Sequence, residues 1–207
     1  MSIIFVVSSP AGGGKTTLCE LELKRNPSVR RVVTHTTRKP RDGEKDGVDY
    51  HFVDREEFEA GIKKGEFVEY AIVHGHYYGT SKVELERILK SGYDAILAID
   101  VQGARNIKRA FDNVVTIFIL PPNFETWLQR MKDGKRSDID VRLRTAIYEL
   151  DSVGEFEYCI VNDRLDEALE RFHAIIVSQS ERMKFVGQQR IELASELKKK
   201  IMKQLEG

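Results

Sequence analysis

Short apolar runs alternate with longer amphipathic stretches along the chain, a pattern that is typical of an α/β layer fold. Several apolar runs are bounded by turn residues or charges, which predicts strands of a parallel sheet that is buried on both faces. The predicted strands are Ile3–Ser8, Val29–Thr34, Ala95–Asp100, Val114–Leu120 and Tyr158–Val161. Apolar residues spaced by threes and fours predict helices between the strands. The predicted helices are Lys15–Lys24, Lys82–Lys90, Gly103–Phe111, Phe124–Met131, Asp138–Leu150 and a long C-terminal helix that begins near Leu165.

The pattern changes between residues 34 and 80. Turn-forming residues lead into short alternating segments instead of long periodic ones. The turn residues are Pro40, Gly43 and Gly47, and the alternating segments are Tyr50–Val53, Phe67–Val73 and His76–Tyr78. We expect a small, partly antiparallel insertion here, placed within the parallel-sheet core.

Composition excludes several classes of protein. The chain has 207 residues, 41% of them hydrophobic, with 33 Lys and Arg against 33 Asp and Glu. A formal net charge of zero provides no general basic field for nucleic acid or for an anionic membrane, so any anion site must be local. The apolar run Ile3–Val7 is too short to span a membrane, and we expect a cytoplasmic protein. Cys19 and Cys159 are far apart and are expected to be reduced core residues.

A glycine-rich segment, S-P-A-G-G-G-K-T-T at residues 9–17, follows the first predicted strand and opens the first predicted helix. This is the structural context of a phosphate-binding P-loop, although Ser9 stands where the usual pattern has its first glycine. Glycines let consecutive backbone N–H groups surround phosphate oxygens, and the helix N-terminus adds the positive end of its dipole. We expect Lys15 to reach the β- and γ-phosphates and the Thr16 hydroxyl to hold Mg²⁺. The predicted ATP-binding residues here are Ala11, Gly12, Gly13, Gly14, Lys15, Thr16 and Thr17.

A P-loop is shared by GTPases, ATPases and many small-molecule kinases, so the second substrate has to be inferred from other residues. Arg38 and Arg41 lie on either side of Pro40, among several hydroxyl side chains. Guanidinium groups match phosphate oxygens in a bidentate manner, so this pair is suited to a second phosphate group. Solvated charges around a proline turn are the alternative interpretation.

Four short runs in the insertion closely resemble the guanylate kinase family. They are T-T-R-K-P-R-D-G-E at 36–44, G-V-D-Y-H-F at 47–52, G-E-F-V-E at 65–69 and Y-Y-G-T at 77–80. The resemblance covers most of the chain and implies a P-loop NTPase-type parallel sheet flanked by helices, with a small mixed α/β GMP-binding insertion and a helical lid. It implies that the GMP phosphate is held by Arg38, Arg41, Tyr50 and Tyr78, and that the guanine is read by Glu69, Thr34 and Thr80.

The choice of Glu69 also has a physical basis. Guanine presents its N1–H and N2 amino groups side by side, so one carboxylate can accept from both. Adenine would instead turn an N1 acceptor toward the carboxylate. Taken alone, a glutamate in an alternating segment is more often an exposed residue, and the joint order of the four runs is what favours the functional interpretation.

Asp100 follows an apolar strand, where a carboxylate can approach the metal through water. Capping of the next helix is the alternative, because Asp is a favoured N-cap. We therefore predict Thr16 and Asp100 as the metal residues. Many guanylate kinases carry a second acid two residues earlier, where this chain has Ala98.

A polar, glycine-containing segment over residues 127–140 is predicted to form a mobile lid. Its cations would stabilise the charge that spreads over the transferred phosphoryl group. We assign catalytic roles to Lys15, Arg38, Arg136 and Arg142, with Arg136 preferred to Arg130 because it lies in the more flexible part of a lid shorter than the family's. The remaining core is then 1–33, 81–126 and 141–207, with the insertion over 34–80.

Asn162 ends the last predicted strand and resembles the family's contact with the donor base, although a turn residue is the alternative. The resemblance implies in-line transfer of the γ-phosphoryl group of ATP, with Mg²⁺, to GMP, with dGMP as a further acceptor. Nucleic acid and membranes are not expected partners, and the sequence does not indicate an oligomeric state. Two rivals stay open: a non-catalytic module of the same fold that binds phosphopeptides, and a kinase with another phosphorylated acceptor.

Overall fold

The computed structural model describes residues 2–133 and 139–205. Its strands are β1 (Ile4–Ser8), β2 (Val29–Arg31), β3 (His35–Thr36), β4 (His51–Phe52), β5 (Phe67–Val73), β6 (His76–Ser81), β7 (Asp94–Ala98), β8 (Val114–Leu120) and β9 (Tyr158–Val161). Its helices are α1 (Lys15–Arg25), α2 (Arg55–Lys64), α3 (Lys82–Lys90), α4 (Val101–Ala110), α5 (Phe124–Asp133), α6 (Ile139–Asp151), α7 (Leu165–Ser180) and α8 (Met183–Leu205).

The main sheet is parallel throughout, with the strand order β2-β7-β1-β8-β9. Alternate residues of the central strand β1 belong to different cores, as the two faces of a strand require. Phe5 packs with α1 and α7 on one face, whereas Ile4 and Val6 pack with α3 and α4 on the other. The predicted parallel sheet flanked by helices is therefore confirmed. Because the carboxyl ends of all five strands lie at the same edge, the loops that follow them meet there.

The insertion is built on a second sheet with the order β4-β3-β6-β5. Its β3/β6 and β5/β6 pairs are antiparallel, and the β3/β4 pair is parallel. The predicted strand Val29–Thr34 is too long, because the chain leaves the main sheet after Arg31 and enters the second sheet at His35.

Helix α2 is absent from the predicted helices, yet its ends carry clear local signals. The Asp54 carboxylate caps it by accepting a hydrogen bond from the Glu57 N–H, and Gly65 ends it with a φ of 67°. Phe58 and Gly61 are its buried residues, so its apolar stripe is too narrow to stand out in the sequence.

The C-terminal region differs from the predicted single helix, because Glu181 and Arg182 separate α7 from α8. Exposed apolar side chains occur along α8, including Leu193, Leu197 and Ile201. Cys19 is buried as expected, but Cys159 is exposed, which corrects the prediction of a core position. Within the described ranges, no helix is long and apolar enough to cross a membrane.

Candidate active site

The P-loop connects β1 to α1 and depends on glycine at two positions. Gly12 and Gly14 have φ values of 86° and 98°, in the left-handed region that side chains rarely adopt. The loop is closed by a hydrogen bond from the Gly13 N–H to the Pro10 carbonyl at 2.9 Å. From α5, the Trp127 indole N–H donates to the Ala11 carbonyl at 2.8 Å. The loop is thus held from both its own backbone and a neighbouring helix.

Lys15 begins α1 and points into the site. Its Nζ donates to the Ile99 carbonyl at 3.0 Å. Burial lowers the pKa of Lys15, while the nearby Glu149 and Asp100 carboxylates act in the opposite direction. The ammonium group is therefore within electrostatic reach of two acids at the carboxyl edge of the sheet.

A single cavity of about 610 Å³, which we call the cleft, runs from the P-loop to the second sheet. Every predicted site residue lines it except Gly13, Thr80 and Arg136. Gly13 and Thr80 are buried behind its wall, and Arg136 lies outside the described residues. The Lys15 loop and the Arg38/Arg41 pair, which are far apart in sequence, thus face the same space.

Arg38 is held firmly at the insertion side of the cleft. Its guanidinium group donates to both oxygens of Glu44, at 2.9 and 2.8 Å, and its Nε donates to the Tyr78 hydroxyl at 3.3 Å. The Tyr50 ring lies below it, with 5.3 Å between the guanidinium carbon and the ring centroid. Glu44 also accepts from the Arg41 N–H at 2.8 Å. The cation is therefore oriented before any ligand arrives.

Glu69 is a buried carboxylate on β5, only 5% exposed. Its Oε1 accepts a hydrogen bond from the Thr80 hydroxyl at 2.5 Å. Its Oε2 lies against the first turn of α4, because a Cβ added at Gly103 would come within 2.8 Å of it. Burial raises the pKa of Glu69 to about 7, the Thr80 hydrogen bond opposes this shift, and the Asp100 charge adds to it. Thr80 thus acts on the cleft through Glu69.

Asp100 adopts the alternative role that the sequence left open, because it is the N-cap of α4. Its Oδ1 accepts from the Gly103 N–H at 2.9 Å, and its Oδ2 accepts from the Gln102 side chain at 3.2 Å. The strand ends two residues earlier, at Ala98, and the helix begins at Val101 instead of Gly103. Capping does not remove Asp100 from the cleft, so it can serve both purposes.

The oxygen atoms near Lys15 suit Mg²⁺. Thr16, Asp100 and Glu149 all line the cleft, and the charges of Asp100 and Glu149 both act on Lys15. In the part of the chain that the structure describes, no group of three or more His, Cys, Asp or Glu side chains could hold a metal ion. A full protein cage is not needed, because Mg²⁺ is usually bound through one or two carboxylates, several waters and substrate phosphates. The residues present therefore fit a phosphate-bound Mg²⁺.

Asn162 lies at the carboxyl end of β9 and contacts the P-loop directly. Its amide nitrogen donates to the Gly13 carbonyl at 3.0 Å, and its buried Oδ1 has no hydrogen-bond partner among the described residues. Arg130 donates to the carbonyls of Asn162 and Asp163, at 2.9 and 3.3 Å. Arg130 and Arg142 both line the cleft.

A sequence model of the guanylate kinase family matches residues 1–179. The chain belongs to the guanylate kinase family.

Individual relatives agree with this assignment. A guanylate kinase of Methylobacillus flagellatus is 44% identical over 179 residues, which cover 85% of this chain and 89% of the relative. A guanylate kinase of Dechloromonas aromatica is 44% identical over 177 residues, covering 84% and 87%. The crystal structure of guanylate kinase from Anaplasma phagocytophilum superimposes with a TM-score of 0.76 at 35% identity, covering 87% of each chain.

Sequence reasoning missed Glu149, a residue of this guanylate kinase-type cleft that is affected by the charges of both Lys15 and Asp100. Glu149 on α6 is 8% exposed and lines the cleft beside Lys15. Burial raises the pKa of Glu149 to about 7. The Lys15 charge opposes this shift, and the Asp100 charge adds to it. The sequence signal that could have indicated Glu149 is its spacing from Arg142 and Ala146, which places the three residues on one face of the helix. A glutamate at the end of an amphipathic helix nevertheless usually indicates a solvated surface.

Proposed function

We propose that this chain transfers the γ-phosphoryl group of ATP to GMP, giving ADP and GDP, and that it acts on dGMP as well. The observation that carries the proposal is the cleft, because one continuous space is lined by the P-loop lysine, by Arg38 and Arg41, and by Glu69. An anion site at each end is what a direct transfer between two phosphate groups needs.

In the proposed arrangement, donor phosphates bind the P-loop amides and Lys15, with Asn162 near the donor base. Arg38, Arg41, Tyr50 and Tyr78 hold the GMP phosphate, while Glu69 accepts from the guanine N1–H and N2 amino groups, supported by Thr34 and Thr80. Mg²⁺, held near Thr16 and Asp100, would neutralise charge on the donor phosphates. Positioning and charge stabilisation supply the acceleration, since phosphoryl transfer needs little covalent chemistry from the protein.

Closure belongs to the same proposal. The insertion over 34–80 and the lid over 127–140 are expected to move toward the core and exclude water from the transferred group. Arg142 lies on the cleft wall and Arg136 in the proposed lid, where both would add positive charge on closure. An Arg142→Ala variant is expected to lose kcat with little change in GMP binding.

A coupled assay of ADP formation tests the function. We expect turnover with GMP and dGMP and none with AMP, and we expect Lys15→Met to abolish it. The exposed Lys63→Met on α2 is a matched control and should retain full activity. Folded protein that forms no ADP with GMP would instead favour the non-catalytic, phosphopeptide-binding alternative. Turnover with another phosphorylated acceptor but not with GMP would favour the second rival.

A further inference from the structure

Glu149 is a buried acid that the proposed function leaves without a role. It lies on the face of α6 that also carries Arg142 and the buried Ala146. The residue is 8% exposed, and its carboxylate forms no hydrogen bond or ion pair with residues 2–133 and 139–205, although its oxygens are not fully enclosed and reach the cleft. Buried carboxylates are normally hydrogen-bonded, paired with a cation or bound to a metal. Glu149 therefore requires an explanation.

The charges that face Glu149 come from two other elements. Lys15, at the start of α1, favours the ionised carboxylate, and Asp100, at the start of α4, disfavours it. Lys15 thus compensates the charge of Glu149 in part, from beyond ion-pair distance, when no nucleotide is present. This compensation weakens once a triphosphate enters the P-loop, because the lysine then turns toward the phosphate oxygens.

Bound triphosphate would leave two carboxylates facing a highly charged anion. Such an arrangement is unfavourable unless a cation lies between the groups or a carboxylate takes up a proton. Asp100 already uses both oxygens, for the Gly103 N–H and the Gln102 amide. Glu149 has both oxygens available, so it is the better acceptor for further hydrogen bonds.

We propose that Glu149 is a positioning residue that, together with Asp100, holds water molecules bound to the Mg²⁺ of the donor nucleotide beside Thr16. The inference rests on the proposed ATP-dependent function. Mg²⁺ gives up its water reluctantly and commonly contacts carboxylates through it. The same helix would then contribute a cation, Arg142, and a metal-directed carboxylate, Glu149, to the donor site.

Binding of ATP without GMP provides a test that does not depend on turnover. Isothermal titration is carried out with Mg²⁺ and again with EDTA, and the ratio of the two dissociation constants gives the metal contribution. We expect Glu149→Gln to reduce this contribution by about tenfold, the lower end of what loss of an outer metal contact costs. Affinity for metal-free ATP should stay equal or increase, because a negative charge is removed.

Asp151→Asn on the same helix is the matched control, since Asp151 is exposed and should leave the metal contribution unchanged. Far-ultraviolet circular dichroism establishes that each variant is folded. If Glu149→Gln does not fold, Glu149→Asp replaces it, and the shorter side chain should also weaken the metal contribution.

An unchanged metal contribution in a folded Glu149→Gln or Glu149→Asp protein would overturn the inference, because the Mg²⁺-dependent part of ATP affinity would then not depend on the Glu149 carboxylate. The proposed function fails in a different way, through absence of GMP-dependent ADP formation by the unmodified chain. The two failures are therefore distinguishable.

Discussion

Gly103→Ala tests the position of Glu69 with the smallest possible change. A Cβ at Gly103 would lie 2.8 Å from Glu69 Oε2 and 3.2 Å from Asp100 Oδ1. Ordinary contacts begin at 3.4 Å, so the difference between 3.4 and 2.8 Å requires Oε2 to retreat by 0.6 Å. A retreat of that size lengthens a hydrogen bond of about 2.9 Å to about 3.5 Å, beyond the useful range.

The cost follows from the bonds that are weakened. A hydrogen bond to a charged group contributes about 1.5–3 kcal/mol, so loss of one to the guanine should weaken GMP binding by about ten- to hundredfold. Global unfolding is not expected, because the three atoms that a Cβ at Gly103 would meet are the ends of flexible side chains, and alanine is a better helix former than glycine by roughly 0.5–1 kcal/mol.

Isothermal titration with GMP measures the effect. Titration with ATP in EDTA serves as the internal reference, since Asp100, a proposed metal residue, is also near the new methyl group. Gly154→Ala is the matched control, because a Cβ there has nothing within 4 Å. Equal GMP affinity in the two variants would show that the guanine does not contact Glu69 as proposed.

Three further predictions concern charge. With a pKa of about 7 for Glu69, roughly one carboxyl in ten is ionised at pH 6, so GMP affinity should rise about tenfold from pH 6 to pH 8. Calorimetry of Glu69→Gln at the same pH values measures how titration of the GMP phosphate alone changes the affinity. If GMP affinity rises with pH as steeply in this variant as in the unmodified chain, the assignment of Glu69 to the guanine is contradicted. The same pKa exceeds the unfolded value of 4.5, so the carboxyl destabilises the fold increasingly as the pH rises from 4.5 to 7. Glu69→Gln should therefore be about 2–3 kcal/mol more stable to unfolding than the unmodified chain at pH 8 but not at pH 4.5. Urea unfolding at the two pH values measures the difference, and a difference that does not change with pH would contradict the raised pKa of Glu69. Arg38→Lys removes the bidentate ion pair with Glu44 and should weaken GMP binding by about tenfold or more. The control is Arg55→Lys, which alters an exposed ion pair on a helix and should leave GMP affinity unchanged in the same titration. Equal losses of affinity in the two variants would indicate that the loss does not come from the Arg38 site.

The sequence predicted those parts of the cleft that depend on local structure. A strand, a glycine-rich turn and a helix follow one another without interruption, so the P-loop could be placed from residues 9–17 alone. Arg38 and Glu69 could be selected because short family-like runs surround them. Their positions facing Lys15, however, follow from the way two sheets meet, and the family resemblance supplied that step.

Other features depend on tertiary packing and could not be predicted. Glu149 is an ordinary surface residue by sequence, and only the placement of α6 against the cleft buries it. Asp100 met two criteria at once, those of an N-cap and of a metal residue, and no local rule decides between them. Helix α2 was missed for another reason. Its capping residues are visible in the sequence, but its apolar stripe is too narrow to indicate a helix.

The contact between Trp127 and the P-loop gives this chain a built-in optical probe. Trp127 is the only tryptophan among the 207 residues, and its indole N–H is bonded to the Ala11 carbonyl. Indole emission depends on hydrogen bonding and on local polarity, so occupancy of the donor site should change the intrinsic fluorescence of the whole protein. Nucleotide binding, the proposed closure and their rates can then be tested in stopped-flow experiments without any label.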